Sequence, residues 1–219
     1  MTQSDTPVSD VPVLDALLLM AGRGVRFGGD KLLADVNGEP LASWALWTAL
    51  AAPARRVFAA VADDPRLVLV LENAAARRGA SDRLVLVPVS NAADGMGVSL
   101  RTAAAALPGD TGGVFVFLGD MPAIAPGTPA RLAAALDRPD AIVVPVHAGR
   151  RGHPVLFGAD WVAALQTLSG DEGARGLLAE AGSCLVAVEV EDPGILLDVD
   201  RPDDLARVPS PTGASAPDR

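Results

Sequence analysis

The sequence predicts a three-layer α/β/α fold built around a mainly parallel sheet. Three observations carry that expectation. Short apolar runs alternate with helix-forming stretches from residue 14 onward, the apolar runs are continuous, and hydrophobic residues make up 50% of the 219. Strands alternating with helices favour parallel crossovers, and unbroken apolar strands suit a sheet covered on both faces.

Taken in order, strands are expected at Leu14–Met20 and at residues 56–62, 84–89, 114–118 and 141–146, each bounded by Gly, Pro or Asp. Residues 40–52, 65–78, 98–107 and 128–136 carry the Ala, Leu and Arg of helices. After residue 146 the rhythm changes. A short strand is expected at 155–157, helices at 161–168 and 174–181, and a strand at 185–190. Residues 195–199 are expected to return to the sheet before a last short helix at 203–207. No polar linker divides these elements, so residues 13–208 read as one domain between a flexible N-terminal tail, 1–12, and a disordered C-terminal tail, 209–219, rich in Pro, Ser, Gly and Ala.

A net charge of −9 excludes a general nucleic-acid binder, which needs a basic footprint to release counterions. Residues 1–12 lack the basic start and apolar stretch of a signal peptide, and no apolar run has the length of a membrane span, so the expected location is the cytoplasm. The single cysteine, Cys184, opens an apolar run and reads as a buried, inert thiol.

Two segments carry chemistry. The first strand runs into Ala21-Gly22-Arg23-Gly24-Val25-Arg26-Phe27-Gly28-Gly29-Asp30-Lys31. Ligands of open parallel sheets sit beyond the carboxyl ends of the strands, and glycines there let backbone amides close around an anion. Arg26 would add a planar fork for phosphate oxygens and Lys31 a mobile point charge. The spacing fits neither a dinucleotide fingerprint, since Phe27 stands where glycine is needed, nor a Walker loop, since Leu32 follows Lys31. The second segment, Gly119-Asp120-Met121-Pro122, places a carboxylate at a strand end. A further pair, Asp198 and Asp200, would share one side of an extended segment, with Asp200 open to two readings, metal ligand or helix cap. Mg²⁺ commonly takes one or two carboxylates together with phosphate oxygens.

With these residues in place, the chain resembles the MobA-like nucleotidyltransferases, and within them the molybdenum-cofactor cytidylyltransferases. The resemblance runs over residues 14 to 206 through the loop at 19–31, Gly95-Met96-Gly97-Val98-Ser99-Leu100, Gly119 to Pro122, Gly152-His153-Pro154-Val155-Leu156-Phe157, Gly170-Asp171-Glu172-Gly173-Ala174-Arg175 and Asp198-Val199-Asp200-Arg201-Pro202-Asp203-Asp204-Leu205. It implies a Rossmann-like nucleotidyltransferase fold and Mg²⁺-dependent transfer of CMP from CTP to molybdopterin, with release of pyrophosphate. On that reading Arg26, Lys31 and Asp120 are catalytic, and Ala21, Gly22, Arg23, Gly24, Arg26, Lys31, Ser99 and Asp120 bind the nucleotide. Asp120, with Asp200 or Asp198, holds the metal, while His153, Pro154 and Arg175 meet the acceptor. Ser99 also fits a plain helix-terminus role, His153 a structural one, and Arg175 a salt bridge to Asp171 or Glu172. Transient contact with a molybdoenzyme or its chaperone would follow; no nucleic-acid or membrane partner is expected.

Met20, Gly24 and Arg201 depart from the family pattern, and Met20 is expected close to the base. Guanylyl transfer and another phosphorylated acceptor stay open within the class. Outside it stand an NAD(P)H-dependent reductase of a small aromatic compound and a non-catalytic molybdopterin carrier.

Overall fold

The computed structural model describes residues 12–22, 27, 29–90, 95–171 and 173–209. One eight-stranded sheet organises it. Its strands are β1 (Leu14–Met20), β4 (Val57–Val61), β5 (Leu84–Pro88), β6 (Gly113–Leu118), β7 (Ile142–His147), β8 (Arg150–Arg151), β9 (Val155–Gly158) and β10 (Leu185–Glu189). The spatial order is β10-β7-β9-β6-β1-β4-β5, with β8 folded back on β7. β1 lies parallel to β4 and β6, β4 to β5 and β7 to β10, while β9 runs antiparallel to both β6 and β7. β6 and β7 therefore point the same way, and the carboxyl ends of β1, β4, β5, β6 and β7 share one edge of the sheet.

Both faces of the sheet are covered, as the unbroken apolar strands require. Along β1 the side chains alternate: Ala16, Leu18 and Met20 enter one core, Leu17 and Ala21 the other. The first core packs under α1 (Leu41–Ala51), α2 (Pro65–Arg77) and α4 (Gly127–Ala134). The second packs under α3 (Met96–Ala105), α5 (Val162–Leu165) and α6 (Arg175–Glu180). Helix α2 starts where the sequence says it should, with Pro65 in its first turn and the Asp64 carboxylate accepting from the Arg66 amide at 3.0 Å.

The amino ends of the strands are closed by a polar knot. Asp15 is fully buried on β1, where Arg55 donates to it at 2.7 Å and Thr111 Oγ1 at 2.7 Å. Arg55 also spans to Asp110 at 2.9 Å, so the buried carboxylate has its partners.

Several expectations need correction. Residues 195–199 form no strand. Pro193–Leu196 is a 3₁₀ turn capped by Asp192, and the chain then runs past the sheet edge, where the Val199 amide donates to the Asp120 carbonyl at 2.9 Å. Proline at the start and a capping carboxylate before it favour the turn over an edge strand. The last helix is a 3₁₀ turn, Pro202–Arg207, and the helix expected at 161–168 shrinks to Val162–Leu165 behind a 3₁₀ turn, Ala159–Trp161. Two hairpins were absent from the sequence reading. β2 (Asp35–Val36) pairs with β3 (Glu39–Pro40) across Asn37-Gly38, and β7 turns into β8 across Ala148-Gly149. Cys184 is half-exposed rather than buried. Its thiol donates to the Asp140 carboxylate at 3.3 Å, and that hydrogen bond, with some burial, raises its pKa and keeps it protonated.

Among the described residues no helix is long and apolar enough to cross a membrane.

Candidate active site

The candidate site lies along the edge where the parallel strands end. Two close approaches build it. The Gly119 amide donates to the Leu19 carbonyl at 2.9 Å, which carries the pairing of β1 and β6 one step past the strands. A Cβ at Gly119 would lie 2.8 Å from Met20 Cγ and 3.0 Å from the Leu19 carbonyl oxygen, so a side chain here would push the two strand ends apart. Gly119 in turn delivers Asp120. The segment that carries Asp198 and Asp200 is laid against it by the Val199–Asp120 backbone bond, and Val199 is fully buried beside Val36, Leu41 and Val208.

Lys31 completes the centre. It opens a 3₁₀ turn, Lys31–Leu33, that follows Asp30 in a left-handed conformation, φ 47°. Arg66 grips this turn from outside: its guanidinium reaches Asp30 at 2.7 Å and Asp64 at 2.9 Å, tying the loop after β1 to the end of β4. Both carboxyls are held below the usual carboxylate range, first by their hydrogen bonds to Arg66. Inside, the Lys31 ammonium lies 2.8 Å from Asp120 Oδ2 and 3.5 Å from Asp200 Oδ1. The lysine side chain is 12% exposed, against 26% and 41% for the two carboxylates.

Of the two readings of Asp200, the cap is taken by another residue. Asp204 Oδ2 accepts from the amides of Asp200 and Arg201 at 3.0 and 2.8 Å, and so closes the start of the Pro202–Arg207 turn. Those amides hold the Asp204 carboxyl below its usual range. Asp200 is left facing Lys31. Asp198 is exposed, and its charge acts on His153 instead.

His153 sits at the entrance to β9 and donates through its backbone to Ile195 at 3.0 Å. Its Nδ1 is buried and has no hydrogen-bond partner among the described residues. Burial holds the imidazole below its ordinary pKa of 6.5; the Val116 carbonyl and the carboxylates of Asp120 and Asp198 oppose that shift, and Arg175 adds to it. These four neighbours place His153 within the field of the carboxylate centre. The sign of the consequence is fixed. Below pH 6.5 the unfolded chain takes up a proton that the folded chain refuses, so stability should fall as pH drops from 6.5 toward the folded pKa. The slope for one proton is at most about 1.4 kcal/mol per pH unit, and above 6.5 this contribution should be flat. Thermal melts of wild type and His153→Asn between pH 5 and 8 check this: the difference between the two curves should bend near 6.5, and parallel curves would refute it.

Pro154 is buried, and Arg175, the exposed first residue of α6, forms no ion pair with Asp171. Glu172, the other partner considered, lies outside the described residues. The segments at 95–99 and 170–175 pack on each other: the Gly97 amide donates to the Gly170 carbonyl at 2.8 Å, and a Cβ at Gly97 would lie 2.6 Å from the Ser169 oxygen. Ser99 stands one turn into α3, 5% exposed, and is not its cap; Gly95 holds that position. Ala21 is buried and Gly22 exposed at the mouth of the loop. Arg23, Gly24 and Arg26 lie outside the described residues. Met20 is 2% exposed and packs in the core beneath Gly119, a position whose effect on a bound base would pass through packing.

The sequence reading missed two features. The Arg66 clamp joins residues 36 apart, which no local pattern announces. A plainer signal lay in the composition: among 18 lysines and arginines, Lys31 is the sole lysine.

Comparison with known proteins gives the family and the fold. Residues 16–185 match the model of the MobA-like NTP transferase domain, and the chain belongs to that family. It is a nucleotidyltransferase by family. Among solved structures it is similar to Rv0371c from Mycobacterium tuberculosis, at 26% identity over 91% of this chain and 98% of that one, with a TM-score of 0.69. The same protein in complex with manganese matches at 26% identity over 90% and 97%, TM-score 0.65. A nucleotidyl transferase from Methanothermobacter thermautotrophicus shares the fold at 22% identity over 90% and 95%, TM-score 0.71. So does a CMP:2-keto-3-deoxy-manno-octonic acid synthetase complexed with CTP, at 16% identity over 90% and 96%, TM-score 0.66. No curated protein matches the chain.

Proposed function

We propose that this protein is a Mg²⁺-dependent cytidylyltransferase that moves CMP from CTP onto the terminal phosphate of molybdopterin. The observation that carries the reading is the triad at the strand ends, an ammonium held between Asp120 and Asp200 on a lysine that follows a glycine-rich segment of the sequence. The ammonium is itself a test of fit. Two carboxylates that enclose a cation at this edge offer the oxygen donors a hard divalent ion takes, and two are enough when phosphates complete its shell. Among the described residues no group of three or more His, Cys, Asp or Glu could hold a metal without such help.

Asp120 and Asp200 would hold Mg²⁺, which when bound supplies positive charge at the α-phosphate. Lys31 and Arg26 would balance the triphosphate and the departing pyrophosphate. Ala21, Gly22, Arg23 and Gly24 would line the phosphate path, with Ser99 on the nucleotide side. An acceptor phosphate oxygen forms the new bond to the α-phosphorus of CTP as the bond to the β-phosphate oxygen breaks. That nucleophile is already anionic near neutral pH, so positioning and charge stabilisation suffice without a strong base. His153, Pro154 and Arg175 would meet the acceptor, and Arg175, exposed and without an ion pair among the described residues, suits an anion. The segment from Asp198 to Pro202 favours cytidylyl over guanylyl transfer, since the guanylyl branch usually carries an Asn-x-Asn-Thr-Pro-like segment there.

Calorimetric titration with CTP, GTP and NADPH, each with and without Mg²⁺, tests the reading. Mg²⁺-dependent binding of CTP at least about tenfold tighter than GTP, a gap of about 1.4 kcal/mol, is the expected result. Preference for GTP would move the protein to the guanylyl branch, and Mg²⁺-independent binding of NADPH alone would overturn nucleotidyl transfer.

A further inference from the structure

We propose that Lys31 is a resident cation at the metal position, so that the site accepts a divalent ion only together with a nucleoside triphosphate. The proposal rests on the reading of Asp120 and Asp200 as metal ligands. The Lys31 ammonium is 2.8 Å from Asp120 Oδ2 and 3.5 Å from Asp200 Oδ1. A divalent ion bound to those oxygens would stand about 2.0–2.6 Å from them, in the space the ammonium fills. The two cations cannot share the gap: they would meet at contact distance, in a spot that leaves the lysine side chain only 12% exposed. A free ion must therefore evict Lys31 from both carboxylates, and among the described residues it pairs with no other. A triphosphate removes that cost. Its oxygens receive the ammonium and, at the same time, complete the shell of the ion that takes the vacated carboxylates.

Two independent features support a moving side chain on a fixed backbone. The turn that carries Lys31 is clamped. Arg66 holds Asp30 from outside, the Leu33 amide donates to the Asp30 carbonyl at 2.9 Å, and Leu32 packs against the first core and the cluster around Val36 and Val199. Motion is thus left to the four-carbon stem of the lysine. The composition points the same way. Every other lysine-or-arginine position in this chain is arginine, and lysine stands only here. Arginine would bind Asp120 through a planar two-point fork and hold on, whereas an ammonium is a compact charge on a flexible stem that can pass from carboxylate to phosphate. At the one place where a cation has to let go, the chain uses the residue that can.

The test is a Mn²⁺ titration of the full chain, followed by electron paramagnetic resonance of the free ion, in wild type, Lys31→Gln, Asp120→Asn and the double variant. Lys31→Gln is expected to bind Mn²⁺ without nucleotide at least about tenfold more tightly than wild type, and Asp120→Asn is expected to erase that gain. A second measurement needs no substitution. Because Lys31 is the sole lysine, wild-type protein labelled with ¹³Cε-lysine gives one side-chain signal. That signal should stay in place with millimolar Mg²⁺ alone and move when CTP is added with Mg²⁺. Equal Mn²⁺ affinity in wild type and Lys31→Gln, with Asp120→Asn weakening both, would overturn the proposal and leave the metal assignment standing. A lysine signal displaced by Mg²⁺ alone would overturn it as well. Mn²⁺ affinity indifferent to Asp120→Asn in every background would remove the metal assignment, and the proposal with it.

Discussion

Asp120→Asn is expected to lower the rate of pyrophosphate release by about a thousandfold, equivalent to about 4 kcal/mol of transition-state stabilisation, while leaving the fold intact. The size follows from the position. Asp120 is the carboxylate closest to the site's resident cation, and it is delivered there by a glycine at which any side chain would crowd Met20 and the Leu19 carbonyl. Its own contribution to folding is small. The side chain is 26% exposed and pairs with Lys31 at 2.8 Å, and a partly solvated pair of this kind is worth about 1 kcal/mol or less. Activity with CTP and molybdopterin, read beside a thermal melt, separates the two effects. A variant that keeps both its melting temperature and its turnover would remove Asp120 from the chemistry.

Asp192→Ala is expected to act in the opposite way, on stability first and on turnover through it. Asp192 is 5% exposed, and its carboxylate accepts from Thr128 Oγ1 at 2.6 Å, the Ala125 amide at 2.9 Å and the Gly194 amide at 3.0 Å. Alanine would leave three donors without their acceptor, at about 1–3 kcal/mol for each group that stays buried. A total near 3 kcal/mol would lower the melting temperature by about 6–12 °C for a domain of this size. The same carboxylate ties the loop after Asp120 to the turn before Asp198 and Asp200, so loosening it should spread the two halves of the candidate metal pair. Nucleotide affinity should therefore fall further than the loss of folded protein accounts for. A melting temperature within about 1 °C of wild type would show that water replaces the carboxylate, and that the tie is dispensable.

These two residues also mark how far the sequence could be read. Asp120 announced itself, because a long apolar run that stops at Gly-Asp-Met-Pro has to present its carboxylate beyond the strand. Asp192 did not. Its three donors come from residues 2, 64 and 67 positions away, and only the folded chain brings them to one carboxylate. The same division holds for the fold. Residues 14–20 were legible to the last position, since a run that is apolar but for Asp15 and ends at a glycine-rich segment has one sensible reading. Residues 195–199 are equally apolar and were misread, because Pro193 and the Asp192 cap turn the chain before pairing can begin. Asn37-Gly38 is a strong hairpin signal that went unused, because the strands it joins are only two residues each.

What the sequence by itself determined was the kind of scaffold and the chemistry at its edge: apolar runs that alternate with helices, a glycine-rich segment after the first, and a carboxylate after β6. Those properties are local, set by side-chain period and by residues that end a strand. What only the tertiary structure decided was which partners meet. It set Asp200 rather than Asp198 opposite Lys31, gave the cap to Asp204, placed Met20 in the core, and fastened the Lys31 turn through Arg66. Contacts between residues tens of positions apart depend on the order of strands in the sheet and on which loop lies over which. Neither is encoded in any short stretch of chain.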